Sequence, residues 1–356
     1  MIKRLQRLFT GRQGNTVGID IGTESVKLAE VMNKGEHPVL VSTGILPMPT
    51  GLIDDGHIVD GEALSGLLRQ LLSTSGVSSR DVVLAIGGRT IFAREVLLPV
   101  MSEEELREAI KWDMEKYVPY EPESFYYDFA IVGKTRTELE MKVLLVAAPH
   151  DVVNPMVSII KSIGLRPVAV DIEPLALYRT LEEATNSMVI DLGGQISQIT
   201  VFQQGSPAVT RTIGIGGRRF TEVIMRNLEL DYQEAENLKQ RQKGLLHRVG
   251  WPDEPSALHR QLDLVVGELV REVRRTVEYY QIQNRDAVID KIFLTGGASK
   301  LDNLAQHIAA QLNMPVLLHQ PLRTLSSVPA LDQDYLNRLF PQLATAIGLA
   351  LRGGSR

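Results

Sequence analysis

One pattern occurs twice in this chain, a polar turn carrying an acidic residue between two apolar runs, and it limits the possible folds more than any other feature. Residues 17–31 read VGIDIGTESVKLAEV. An apolar run reaches Asp20, the chain turns through Gly22, Thr23, Glu24 and Ser25, and an alternating run leaves through Lys27. Alternation on both sides of a short polar turn predicts a β-hairpin. Residues 188–202, MVIDLGGQISQITVF, repeat the pattern with Asp191, Gly193, Gly194, Gln195 and Ser197. A third β-rich run follows each copy, over 39–47 and 207–214. The spacing therefore predicts two related half-molecules, each opening on a three-stranded meander.

The rest of the chain fits an α/β fold with one interruption. Leu64, Leu67, Leu68, Leu71 and Leu72 recur at helical spacing, and the strand pattern of 81–88 follows at once, as in a sheet continued by a crossover helix. Residues 92–166 then read as strand, capped helix, two strands and helix, a β-α-β-β-α block inserted into the first half. The chain returns through a strand running into a helix at 166–177, and the second half opens at Met188. Later landmarks are a glycine loop at Gly216 and Gly217, a capped acidic helix with Glu236 and Lys239, a long helix over 258–283, and LTGGAS at 294–299. A small-residue helix over 343–351 closes the order.

At 356 residues the chain exceeds one ordinary core, so two lobes are expected. A formal net charge of −5 argues against coating nucleic acid. The absence of cysteine excludes disulfides and thiolate metal sites. No apolar run approaches the roughly 18 residues of a membrane span, so a soluble, cytoplasmic protein is expected. Residues 1–14 form a basic tail, read either as a frayed end or as a short amphipathic helix against lipid or a partner.

Tight turns of glycine and hydroxyl residues suit phosphate binding, because backbone N–H groups can approach the anion closely. Two such turns facing one cleft would hold a nucleotide triphosphate from both sides. Asp20 and Asp191 would then stand near Mg²⁺, through its waters. Gly296, Gly297 and Ala298 would let the backbone pass the adenosine, with Glu236 and Lys239 toward the sugar or base. Each piece alone has a plainer reading: an ordinary hairpin, an ordinary strand-to-helix connection, a solvated ion pair. It is their order along the chain that carries the nucleotide reading.

That order resembles the actin-like ATPase superfamily, a duplicated ribonuclease-H-like fold in two lobes. The inserted block stands where the cell-division protein FtsA carries its extra subdomain. VGIDIGTESVKL and DIEPLA (171–176) look most like the PilM family of type IV pilus assembly. The resemblance implies a first lobe of 15–91 with 167–187, an FtsA-type (SHS2-like) subdomain over 92–166, a second lobe of 188–217 with 288–352, and a helical outer subdomain over 218–287. It also implies ATP and Mg²⁺ between the lobes, with at most weak hydrolysis, and Asp171 and Glu173 as candidates to position water. The implied partner is the N-terminal cytoplasmic segment of a PilN-like inner-membrane protein, with pilus motors as further contacts. Association with the cytoplasmic face of the inner membrane would then be indirect. An FtsA-type filament protein and a small-molecule kinase remain alternatives on the same fold. Seven aromatic residues crowd 112–129. Trp112, Tyr117, Tyr120 and Tyr126 among them are read either as peptide anchors or as part of a small aromatic core.

Overall fold

The computed structural model describes residues 14–353 except 34–37, 55, 90, 136–138, 182–185, 251, 285–286 and 322–324. The basic tail therefore lies outside the described residues, apart from Gly14.

The first hairpin forms as its alternation predicts. Strand β1 (Gly14–Ile21) pairs antiparallel with β2 (Ser25–Asn33), and β2 with β3 (Val39–Pro47). A short hairpin, β4 (Ile53–Asp54) and β5 (His57–Ile58), leads to helix α1 (Gly61–Ser75), whose N-terminus is capped by Asp60. Strand β6 (Asp81–Ile86) then lies parallel to β1. The inserted block gives β7 (Phe92–Pro99), α2 (Glu103–Tyr117), β8 (Phe125–Lys134), β9 (Glu140–Pro149) and α3 (His150–Ser162). Helix α2 starts at the capping box that Ser102 and Glu105 predict. Strand β10 (Arg166–Ile172) rejoins the first sheet beside β6 and runs directly into α4 (Glu173–Tyr178).

The second half repeats the plan. Strands β11 (Asn186–Leu192), β12 (Ser197–Gln203) and β13 (Ser206–Ile213) form the second meander. Helices α5 (Gly217–Leu228), α6 (Tyr232–Arg241) and α7 (Ala257–Gln283) follow, then β14 (Lys291–Thr295), α8 (Leu304–Leu312), β15 (Val316–Leu318), β16 (Ser326–Ser327) and α9 (Gln333–Arg352). Among the described residues three main sheets result, ordered β10-β6-β1-β2-β3-β16, β13-β12-β11-β14-β15 and β7-β9-β8.

Packing explains the two-lobed shape. One face of the first sheet shares a core with α1 and α3 through Leu64, Leu68, Val153 and Ile160. Helix α3, which the sequence assigns to the inserted block, thus contributes its apolar face to the first lobe. The second sheet packs on α5, α7 and α8 through Phe220, Leu269 and Ile308. The inner faces of both sheets rest on α4 and α9, through Ala176 and Leu349 on one side and Leu177 and Ala344 on the other. Small residues allow this crossing, as a side chain at Gly348 would collide with the Ala176 carbonyl, and one at Gly18 with that of Ala346. Both turns are carried to the same end of the paired sheets, where they face one cleft.

Candidate functional site

The cleft between the lobes has a volume of about 540 Å³. From the first lobe it is lined by Asp20, Gly22, Thr23, Glu24, Ser25 and Lys27; from the second, by Asp191, Gly193, Gly194 and Gln195. Gly217, Glu236, Lys239, Gly296, Gly297 and Ala298 complete the set brought together from the sequence. Two expected residues stand behind the wall instead. Ser197 is buried and donates to the Ile215 carbonyl, and Gly216 lies against the Gly194 carbonyl. Strand register explains the first. Asp20 faces Lys27 across its hairpin and Asp191 faces Gln198, so Ser197 is equivalent to Val26 rather than to Ser25. The two hairpins share one register, and the alternation sends Ser197, like Val26, inward.

The same register sets the charges. Lys27 Nζ lies 2.9 Å from Asp20 Oδ2, its cross-strand partner. Burial opposes the Lys27 ammonium, yet Asp20, with Asp191 and Glu173 farther off, holds its pKa above the ordinary lysine value. Asp191 has Gln198 where Asp20 has a lysine. Burial and then the Asp20 charge push the Asp191 carboxyl up to about 6. The two aspartates therefore feel each other across a shared gap. Glu173, at the first turn of α4, is pushed up to about 8 by burial, then by Asp20 and Asp191. Its carboxyl fills the space against Gly87, where no Cβ would fit.

The remaining catalytic candidate is placed elsewhere. Asp171 is buried outside the cleft, 2.8 Å from Arg179 and 3.4 Å from Arg352. It forms part of the floor of a second groove, and this ion-pair network leaves it no role in positioning water in the cleft.

Glu236 and Lys239 are more than a solvated pair. Lys239 Nζ donates to Glu236 Oε2 at 2.6 Å, to Thr221 Oγ1 at 2.8 Å and to the Gly217 carbonyl at 3.0 Å. The Thr221 hydroxyl donates to Glu236 at 2.6 Å and Gln240 to its other oxygen at 2.9 Å. Burial alone would raise the Glu236 pKa, but Lys239 and these donors outweigh it and hold it low. Gly296 adopts φ 82°, and an added Cβ there would strike Asp191 Oδ1. Glycine at this position is therefore demanded by the backbone and by the neighbouring carboxylate alike.

Several lining residues were not singled out from the sequence: Gly87, Gly88, Arg218, Tyr232, Lys300, Gln342 and Thr345. The pair Gly87-Gly88 directly follows a strand, as Gly296-Gly297 does, and that likeness is a signal the sequence carries. Gln342 and Thr345 come from α9, whose helical pattern reveals its packed face but not which polar residues border the cleft.

The expected aromatic anchors do not share one surface. Trp112 is exposed on α2, Tyr120 packs on Phe125 in the small core, and Tyr117 lines the cleft between the inserted sheet and the second lobe. Tyr126 borders a groove of about 340 Å³ between β8 and β10, its hydroxyl donating to Asn154 at 2.9 Å.

Two sheets on a shared pair of crossing helices, each with an acidic turn facing the cleft, define a two-lobed actin-like fold with an FtsA-type insertion. Residues 18–354 match the family model for type IV pilus assembly protein PilM, and the chain belongs to that family. The structure described as a PilM-PilN type IV pilus biogenesis complex is 28% identical, with a TM-score of 0.83 over 98% of this chain and 100% of that one. MreB 5 of Spiroplasma citri bound to AMPPNP shares the fold at 15% identity, with a TM-score of 0.53 over 95% of each chain. The cell-division protein FtsA of Streptococcus pneumoniae serotype 2 is 25% identical over 257 residues, 64% of this chain but 56% of that protein. The match thus spans little more than half of that relative. Among the described residues no helix is long and apolar enough to cross a membrane.

Proposed function

We propose that this chain is a nucleotide-bound scaffold of type IV pilus assembly, holding Mg²⁺–ATP between its lobes and docking the N-terminal segment of a PilN-like membrane protein. The observation that carries the nucleotide half is the pair of turns, one per lobe, opening on one cleft with Asp20 and Asp191 electrostatically coupled across it. Among the described residues the lining holds five carboxyl groups, of which Glu173 is protonated at neutral pH, against four cations (Lys27, Arg218, Lys239 and Lys300), so it offers no net positive charge and a polyphosphate needs a counter-charge there. Mg²⁺ supplies it by neutralising phosphate oxygens. Among the described residues no group of three or more carboxylate or histidine side chains forms a metal cage. The ion would therefore be held by phosphate and water, with the two aspartates behind that water.

Glu173 lines the cleft and Asp171 does not, so in this reading Glu173 would be the residue to orient a water. With its carboxyl protonated up to about pH 8 in the free protein, it is a poor base at neutral pH, which favours retention of ATP over turnover. The peptide half of the reading rests on the groove between β8 and β10. Both are edge strands of their sheets, and a lining of Val153, Val157, Leu175 and Phe129 suits an extended apolar segment added as a strand. The relative of known structure described as a PilM-PilN complex supports the partner class. Membrane association would then come through the partner.

Nucleotide analysis of the purified protein, with titration of a fluorescent N-terminal peptide of the membrane partner, tests both halves. ATP recovered from the wild type, and peptide affinity weakened by Tyr127→Ala or Ala130→Arg in the groove, are expected. Absence of bound or bindable nucleotide would end the first half, and unaltered peptide affinity in both groove variants the second.

A further inference from the structure

Glu24 occupies the middle of the first turn, where its side chain turns toward the opposite lobe rather than to solvent. Its backbone carbonyl accepts from Met48 N at 3.0 Å, which fixes the residue to its own lobe. Its side chain lies flat on the backbone of Gly194, so close that any Cβ at 194 would collide with it. Its Oε2 then accepts a hydrogen bond from the Tyr232 hydroxyl at 3.2 Å. Tyr232 begins α6, held at that point by the reciprocal capping of Asp231 and Glu234. The Arg218 guanidinium lies 5.5 Å from the centre of the Tyr232 ring, and the Arg218 backbone N–H donates to the Gly194 carbonyl at 2.9 Å. Glu24, Gly194, Arg218 and Tyr232 thus form a closed circuit across the mouth of the cleft, and all four line it. Elsewhere between the lobes, the Thr212 hydroxyl donates to the Gly88 carbonyl at 3.3 Å.

We propose that Glu24 and Tyr232 are a positioning pair, a latch that fixes the separation of the two turns and sets how long a nucleotide remains bound. The proposal rests on the nucleotide reading of the cleft. Phosphates seated between the turns can leave only when the turns separate, and separation must break the charge-assisted bond from tyrosine to carboxylate. The latch holds each lobe by an element that is rigid in itself, a tight turn on one side and a capped helix start on the other. It touches neither Asp20 nor Asp191, so its loss alters opening without removing the groups expected behind the metal.

The test is release of a fluorescent ATP analogue from the loaded, full-length protein, chased with excess unlabelled ATP and Mg²⁺. Tyr232→Phe keeps the ring under Arg218 and deletes only the hydroxyl, and Glu24→Ala removes the acceptor. Each is expected to release nucleotide about tenfold faster, and the double variant no faster than either, because both act on one contact. Release at the wild-type rate from Tyr232→Phe, or effects that multiply in the double variant, overturns the latch. A wild type that takes up no analogue overturns the site reading itself, an outcome distinct from unchanged release. The chain has no cysteine of its own, so spin labels on Glu62→Cys and Gln233→Cys report the lobe separation without nucleotide. A broader, longer distance distribution in Tyr232→Phe supports the latch, and an identical one counts against it.

Discussion

Asp191 and Asp20 hold equivalent positions in the two hairpins but differ in their cross-strand neighbour. Asp20 faces Lys27 while Asp191 faces Gln198, and burial, then the Asp20 charge, pushes the Asp191 carboxyl up to about 6. Asp191→Asn should weaken Mg²⁺–ATP binding by at least tenfold near neutral pH, read by titration of a fluorescent analogue, and should flatten the fall in wild-type affinity below about pH 6. Glu173 gives a stability prediction of definite sign. Its pKa rises from 4.5 to about 8 on folding, so between those values the folded protein holds more protons than the unfolded chain. Stability of the nucleotide-free protein must then fall as pH rises through that window. Glu173→Gln removes this dependence, and its Tm should gain on the wild type as pH increases. A constant difference in Tm across the range would refute the assignment. The aspartates and glycines of both turns were legible because turn chemistry is local. Ser197 was misread because it was matched to Ser25 as a turn hydroxyl, whereas the register common to both hairpins sets it level with Val26, inside the strand. Asp171 and Glu173 are two apart, as on one face of a strand, but helix α4 begins at Glu173, so the period of two ends between them.

At the scale of elements, legibility followed length and regularity. The long alternating strands and the capped helices α2 and α6 could be read directly, because their apolar period or cap residues mark them. The pairs β4-β5 and β16-β3 could not, since two-residue strands carry no period and exist through tertiary pairing. Helix α3 was recognised as a helix but given to the wrong neighbour, because an apolar stripe does not say which core it enters. The small residues of α9 were readable from the sequence, and the crossing over α4 that they allow yields a direct test. Ala at position 348 would drive a methyl into the Ala176 carbonyl. Gly348→Ala should therefore cost about 1–3 kcal/mol despite its better helix propensity, measured as a lower urea midpoint. A gain in stability would mean that the two helices are not so close.

In the whole molecule, the cleft and the groove are separated by a wall about one strand thick. Ile86 faces both, and α3 sends Val152 and Met156 toward the cleft but Val153 and Val157 toward the groove. The β10–α4 junction does the same, with Asp171 beneath the groove and Glu173 in the cleft. Arg179 ties that junction to α9 through the Gly348 carbonyl, and Arg352 ties α9 to β10 through Asp171 and the Val170 carbonyl. A ligand that draws the lobes together must move α4 against α9, and the groove is built on both. Linkage then requires each ligand to change the affinity of the other by one common factor. Mg²⁺–ATP is expected to tighten binding of the partner peptide by about five- to tenfold, with the peptide tightening ATP equally. Lys substituted for Arg352 would keep the charge but lose the two-point hold on Asp171 and Val170. Arg352→Lys should therefore shrink the common factor while leaving the affinity for nucleotide alone nearly unchanged. Calorimetric titrations of peptide with and without nucleotide, and of nucleotide with and without peptide, measure all four affinities. Equal peptide affinity in the presence and absence of ATP would show that the two sites, though they share a wall, are energetically independent.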